Sequence, residues 1–168
     1  MLKLNAKGAA FAIAVAMALP GSAQAALGPD AAACRTGAGG PAILVNVNGF
    51  KSRTGNLRVN VYGSDPAKFL ARGQYIRQIN LPVTRAGSMP VCVAVPRAGA
   101  YAVAVRHDVD GDGNDWGDGG GFSRNPRLSL TNLRPRYQNV AVNVRGVLGL
   151  NVVLNYRFGL SIRPVQGS

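Results

Sequence analysis

Apolar and polar side chains alternate along most of the chain after Pro41. In residues 57–62, Leu57, Val59 and Val61 occupy the odd positions, and polar or amphipathic side chains occupy the even ones. A period of two places one face of a strand in a core and the other in solvent. Similar runs, separated by Gly, Pro, Asn and Asp, cover residues 43–47, 75–81, 91–95, 101–107, 140–144 and 148–158. Seven short strands of this kind predict an all-β fold, an antiparallel β-sandwich of immunoglobulin-like or prealbumin-like type.

Helical periodicity is almost absent from the same region. The one helical candidate is a turn or two after Asp65 and Pro66, because Asp can cap a helix and Pro can open one. Residues 117–135 have little periodicity and much Gly, Asn, Arg and Pro, which predicts a long surface or functional loop before the last strands.

The start of the chain has the pattern of an export signal. Lys3 and Lys7 precede an apolar, Ala-rich stretch at residues 8–19, and Ala23-Gln24-Ala25 offers small residues for cleavage. The apolar stretch is well short of the roughly 20 residues that a membrane-spanning helix needs. We therefore expect a cleaved signal peptide at residues 1–25, a periplasmic or secreted mature protein, and no transmembrane segment after signal removal.

The rest of the chain suits one domain, because a chain of this length can bury most of its apolar surface around a single core. Residues 26–41 are rich in Ala, Gly and Pro and predict a leader segment. The β-sandwich domain is expected at residues 42–160, and a C-terminal tail at residues 161–168.

Cys34 and Cys92 are the only cysteines. Their spacing excludes a CxxC redox motif and a four-cysteine zinc site, and in an oxidising compartment we expect them to form a disulfide. The alternative is that Cys92, between Val91 and Val93, is a small core residue.

The charge of the chain is strongly basic. Without Lys3 and Lys7, 17 basic side chains remain, 15 of them Arg, against seven acidic ones, a net charge of +10. Such an excess favours attraction to polyanions. Export argues against nucleic acid and leaves lipopolysaccharide, anionic lipid or acidic polysaccharide as partners. The alternative is that the scattered Arg side chains form solvated faces.

Five of the seven Asp residues lie between positions 108 and 118, and the chain has no Glu. Alternating carboxylates can converge where Gly residues let the backbone turn tightly, and oxygen ligands in a flexible loop suit Ca²⁺. The predicted calcium ligands are the side chains of Asp108, Asp110, Asp112 and Asp115, the Asn114 carbonyl and, as the weakest candidate, Asp118. The loop is not an EF-hand, because a strand precedes it and position twelve is Gly119.

Two other interpretations of this loop stay open. It can be an Asp-rich turn without an ion, or its carboxylates can be neutralised by Arg106, Arg124 or Arg127. His107, the only histidine, is expected to have a structural role at the base of the loop rather than to serve as a metal ligand or general base. Trp116 is expected to be a hydrophobic plug for the loop, with a ligand-stacking platform as the alternative.

The motifs also resemble a known family. The chain carries this succession: Gly99-x-Tyr101-Ala102-Val103, then His107-Asp108-x-Asp110-Gly111-Asp112-Gly113-x-Asp115, then Gly121-Phe122-Ser123-x-Asn125, then Pro135-x-Tyr137. It resembles the bacterial family catalogued as domain of unknown function 2141, over about residues 43–158. The resemblance implies an exported β-sandwich protein and brings no established activity with it.

Three functions follow from these features. The leading hypothesis is a non-enzymatic envelope module with a calcium-stabilised loop that binds an unidentified envelope protein or glycan. We expect no catalysis because the sequence shows no G-x-S-x-G elbow, no carboxylate pair on separate strands and no Cys–His pair. The second is an Arg-driven binder of anionic envelope surfaces. The third is a hydrolase that uses His107 and the Asp loop.

Overall fold

The computed structural model describes residues 24–113 and 116–165, and strands dominate these residues. Asp65 caps the predicted helical turn by accepting a hydrogen bond from the Ala67 N–H (3.0 Å). The helical segments are 3₁₀ turns at Ala31–Cys34 and Pro66–Lys68 and an α-helical turn at Tyr137–Val140. The strands are β1 (Ala42–Asn48), β2 (Asn56–Tyr62), β3 (Arg77–Pro82), β4 (Met89–Ala94), β5 (Gly99–Asp108), β6 (Gly119–Phe122), β7 (Val142–Val144), β8 (Val147–Val153), β9 (Asn155–Phe158) and β10 (Ser161–Pro164).

The strands form two sheets. The smaller sheet has the order β4-β1-β8, and the larger has the order β10-β9-β6-β5-β2-β3, with β7 paired to the beginning of β5. The predicted all-β sandwich is confirmed. One pairing departs from the antiparallel rule, because β1 and β8 run parallel.

The core lies where the inner faces of the two sheets meet. In β2, Leu57, Val59 and Val61 are buried, as their alternation predicts. They pack with buried side chains of both sheets, among them Ile43, Val45, Val47, Met89, Val91, Val93, Val103, Val105, Val152, Leu154 and Tyr156. These inward side chains are mainly β-branched residues, which fit a pleated, half-buried surface.

The outer face of the larger sheet has its own apolar cover. Leu128, Tyr137 and Val140 come from the segment after β6 and pack against Tyr62 and Phe122 of the sheet. The prediction of one long loop at residues 117–135 was therefore wrong in part: the range includes β6, and the rest contributes to a second hydrophobic cluster.

The end of the chain also differs from the predicted strand pattern. Residues 148–158, predicted as one strand, form β8 in the smaller sheet and β9 in the larger, and the chain changes sheets at Leu154. The Leu154 N–H donates to the Asn48 carbonyl at 2.9 Å, which stabilises this crossing. Of residues 140–144, also predicted as a strand, Val140 is the last residue of the helical turn and only Val142–Val144 form a strand, β7. Residues 161–168 were expected to be a tail, but β10 at Ser161–Pro164 pairs with β9.

The expected disulfide is confirmed, and it attaches the leader segment to β4. Cys34 and Cys92 are joined with their Cα atoms 5.9 Å apart. Leu27 also bonds β4: its N–H donates to the Pro90 carbonyl (2.7 Å), and its carbonyl accepts from the Cys92 N–H (3.0 Å). The leader is therefore attached to the sandwich at Leu27 and at Cys34.

The predicted signal peptide falls almost entirely on residues 1–23, which lie outside the described residues. It stays a prediction. No helix within residues 24–113 and 116–165 has the length and apolar character of a membrane span.

Candidate functional site

The Asp-rich loop connects two neighbouring strands of the larger sheet. Asp108 is the last residue of β5 and Gly119 the first of β6, and these strands pair from His107 and Gly119 onward. The loop therefore leaves and re-enters the sheet at the same end, and this closure brings Asp118 back toward Asp108.

Three carboxylates of this loop converge. Oxygen atoms of Asp108, Asp112 and Asp118 all lie within 4.8 Å of one another. Asp108 is buried, Asp118 is only 8% exposed in its side chain, and Asp112 is exposed. Carboxylate oxygens are the ligands that hard cations prefer, so this group of three could hold a metal ion.

Carboxylates of the loop also accept hydrogen bonds from the loop backbone. The Gly111 N–H donates to Asp108 Oδ1 (2.9 Å), the Val109 N–H to Asp118 Oδ1 (3.1 Å) and the Asp112 N–H to Asp110 Oδ1 (3.2 Å). Asp side chains characteristically stabilise tight turns in this way. These bonds shape the loop.

Arg106 partly neutralises the group. Its Nε donates to Asp118 Oδ2 at 2.9 Å, and its Nη2 donates to the same oxygen. Of the three Arg residues considered as neutralising partners, only Arg106 contacts the loop in the described structure. Arg124 donates to the Gln138 carbonyl instead, and Arg127 lines another hollow beside Pro164.

The structure thus brings together some of the predicted ligands. Asp108, Asp112 and Asp118 form one group, whereas the exposed Asp110 carboxylate bonds the Asp112 N–H and lies outside the group. Asn114 and Asp115 lie outside the described residues. Asp118, the weakest candidate from the sequence, belongs to the group because β6 returns it to the start of the loop. The calcium ligand set stays a prediction.

His107 closes the base of the loop. Its side chain is fully buried, with Nδ1 2.6 Å from the Tyr156 hydroxyl and Nε2 2.8 Å from the Thr54 carbonyl. A carbonyl can only accept, so Nε2 carries the proton and Nδ1 accepts the Tyr156 O–H. Both ring nitrogens are therefore bonded to protein atoms, which is the structural role expected for His107.

Sequence reasoning missed the residues that support the loop from distant parts of the chain. The Thr54 hydroxyl donates to the Val109 carbonyl at 3.0 Å, and Gly55 lies directly against the Asp108 and Val109 backbone. Tyr156 comes from β9, 49 positions after His107. Of these residues, only Gly55 could have been noticed in the sequence, because it is a glycine in a turn between two predicted strands. Nothing in the local pattern marks Tyr156 as a partner of His107.

Removal of the Tyr156 hydroxyl tests this support. Tyr156→Phe should lower the free energy of unfolding by about 1–2 kcal/mol at neutral pH, because the buried Nδ1 atom of His107 loses its donor. Urea unfolding measures the change. Tyr75→Phe, which removes a hydroxyl from an exposed ring, is the matched control and should have little effect. Equal stability of both variants and the wild type would contradict the proposed support.

Tyr156 should also make the stability of the folded protein depend on pH. Burial raises the pKa of Tyr156 to about 12, and the hydrogen bond from the Lys51 N–H offsets part of that rise. The folded pKa lies above the unfolded value of about 10, so the stabilisation is complete below about pH 10 and is lost as the pH rises toward 12. Tyr156→Phe should lose less stability over this interval than the wild type does.

A cleft adjoins the loop on the outer face of the larger sheet. It has a volume of about 350 Å³, and Asp118, Arg106 and Trp116 line the side next to the loop. The expectation that Trp116 is a buried plug was wrong: the side chain is 65% exposed, and the Arg157 guanidinium lies over its ring, 4.6 Å from the centroid. An exposed indole beside a cleft is available for contact with a ligand.

Comparison with protein families places the chain in a bacterial family. The profile of a bacterial family described as "Uncharacterized protein conserved in bacteria (DUF2141)" matches residues 45–148, more than half of the chain. The matched range includes the Asp-rich loop and ends at the start of β8. No curated protein and no solved structure matches the chain.

Proposed function

We propose that this chain, which belongs to the bacterial family of domain of unknown function 2141, is a non-enzymatic module of the cell envelope whose Asp-rich loop is stabilised by calcium. The module binds an envelope protein or glycan through the loops at one end of the sandwich. The observation that carries the proposal is the convergence of the Asp108, Asp112 and Asp118 carboxylates within 4.8 Å. The Cys34–Cys92 disulfide supports an oxidising, extracytoplasmic compartment.

The ligand chemistry of the loop supports calcium over other cations. The group offers only oxygen atoms, which disfavours zinc, and a Gly-rich loop adapts to the six to eight ligands of Ca²⁺ more easily than to the strict octahedron of Mg²⁺. Three carboxylates at this separation repel one another, and Arg106 supplies a single positive charge, bound to Asp118. A divalent cation among the three carboxylates would offset this repulsion.

The surroundings of His107 support a role without catalysis. A general base needs a ring nitrogen within reach of a substrate proton. Both nitrogens of His107 are bonded to the protein, and the side chain is fully buried. His107 is therefore a poor candidate for the general base of a hydrolase.

Calcium should stabilise the folded protein. Extracellular calcium modules typically have dissociation constants of roughly 10⁻⁴ to 10⁻³ M, and a tenfold excess over that constant adds about 1.4 kcal/mol to the free energy of unfolding. We expect the melting temperature to be a few degrees higher in calcium than in chelator. Thermal melts followed by circular dichroism, with calorimetric titration of calcium, measure the effect.

Two variants in the same loop make this test specific. Asp112→Asn removes a charge from the group of three and should abolish the calcium response, because size is kept and a ligand charge is lost. Asp110→Asn makes the same change outside the group and should leave most of the response intact. If the wild-type melt is identical in calcium and chelator and no binding heat appears at millimolar calcium, the loop is neutralised by Arg106 instead.

A further inference from the structure

Two arginines lie side by side in the cleft on the outer face of the larger sheet. Arg58 of β2 is directly opposite Arg106 of β5 in the antiparallel register, and both line the cleft. Like charges in directly opposed positions destabilise a sheet. Arg106 is paired with Asp118. Arg58 is half-buried, and its guanidinium has no hydrogen bond or ion pair with any residue in the described part of the chain.

Apolar side chains also line the cleft. Tyr62 and Phe122 are buried there, and Trp116, whose ring lies under the Arg157 guanidinium, and Leu133 are exposed. Trp116 and Leu133 are 65% and 40% exposed, so two of the six large hydrophobic side chains that are exposed in the described residues flank this one cleft. Guanidinium groups and apolar side chains thus line the same space.

The floor of the cleft is left open by small residues. Ala104 and Gly120 form it, and a Cβ atom added to Gly120 would meet no atom within 4 Å. The neighbouring glycines differ, because a Cβ on Gly119 would overlap the Tyr156 ring and one on Gly121 would lie 2.7 Å from Val152 Cγ1. Core packing therefore accounts for Gly119 and Gly121, whereas the absence of a side chain at Gly120 leaves space for a ligand.

From these observations we propose that the cleft binds a small amphipathic anion, in which a carboxylate or phosphate group is joined to an apolar body. Arg58 binds the anionic group, because a guanidinium pairs with two oxygens of a carboxylate or phosphate. The apolar body lies over Ala104 and Gly120 against Phe122 and the Trp116 ring. A volume of about 350 Å³, mostly apolar walls and a few polar groups are typical of small-molecule sites.

This proposal is independent of calcium in the neighbouring loop. It concerns a discrete site for a monomeric ligand, in contrast to attraction of the whole basic surface to a polyanion. The binding experiment is done both in chelator and in millimolar calcium, and we expect binding in both. Loss of the calcium response and loss of anion binding are thereby separate results.

The fluorescence of Trp116 reports on the cleft directly, because it is the only tryptophan. Monomeric decanoate and decyl phosphate should each give a saturable change in its emission. Decanol, with the same chain and no charge, should bind at least about tenfold more weakly, since a charged hydrogen bond contributes more than a factor of ten. Equal affinity for decanol would overturn the role of the arginine, and no saturable change with either anion would overturn the site.

Two pairs of variants locate the site. Arg58→Gln should raise the dissociation constant of decanoate about tenfold or more, whereas Arg145→Gln, the same change at an exposed turn before β8, should not alter it. Gly120→Leu should abolish binding by filling the floor. Gly149→Leu, on the smaller sheet and also with open space around an added Cβ, should bind normally. Thermal melts verify that each variant is folded.

The results that would overturn the proposal are specific. If folded Arg58→Gln and Gly120→Leu bind decanoate as the wild type does, the ligand lies elsewhere. If the protein binds vesicles of phosphatidylglycerol but neither monomeric anion, it recognises a charged membrane surface and the cleft is not a ligand site.

Discussion

Gly55→Ala should lower the free energy of unfolding by about 3 kcal/mol or more and the melting temperature by roughly 10 °C. Gly55 lies in the turn between β1 and β2 with φ of +72°, a region that side chains rarely adopt. An added Cβ would overlap the Asp108 carbonyl oxygen and lie 2.7 Å from the Val109 carbonyl carbon. These are backbone atoms, so relief requires movement of the strand end that begins the Asp loop.

Gly73→Ala is the matched control, because Gly73 has the same φ of +72° and open space around an added Cβ. It should cost only about 1 kcal/mol, the backbone strain alone. The difference between the two variants measures the overlap with the loop. Chemical denaturation of both variants gives the two free energies, and equal losses would show that the loop does not depend on close contact with Gly55.

Removal of the disulfide should have an effect of similar size. Cys34→Ala combined with Cys92→Ala should lower the free energy of unfolding by about 4 kcal/mol, because the bridge closes a loop of 58 positions and restricts the unfolded chain. Part of the loss is local, since the bridge attaches the leader segment to β4 and Cys92 is fully buried. Urea unfolding of the variant and the wild type measures the change.

Reduction of the wild-type protein separates these two contributions. Both the reduced wild type and the double variant lack the cross-link, but only the variant also loses the two sulfur atoms. The reduced wild type should therefore lose most of the stability that the bridge provides. The double variant should lose slightly more than the reduced wild type does. A double variant as stable as the oxidised wild type would contradict the stabilising role of the bridge.

Local alternation was sufficient to predict the fold class and most strands. The inward positions Leu57, Val59 and Val61 follow from a period of two, which depends only on neighbouring residues. The disulfide and the capped turn at Asp65 were also predicted correctly, because each depends on residue type and spacing. The Asp-rich loop was visible for the same reason, since its carboxylates are close in sequence.

The pairing of distant segments was decided only by the tertiary structure. β6 is almost entirely glycine and has no strand signal. Gly119 is required by close contact with Tyr156 of the neighbouring strand, and Gly121 by contact with Val152 of the other sheet. The parallel pairing of β1 with β8 likewise joins segments about 100 positions apart, and the local pattern of neither strand specifies this partner.

The same division applies to the candidate sites. Composition showed that the chain is rich in Arg and has one Trp, but only the register of β2 and β5 places Arg58 opposite Arg106, and only the β5–β6 connection places Trp116 at the edge of the same cleft. Residue types and short spacings therefore determined the strands, the turns and the acidic loop. Long-range contacts determined the His107–Tyr156 pair, the carboxylate group and the cleft, because a side chain's neighbours across a sheet depend on strand register, which nearby sequence does not specify.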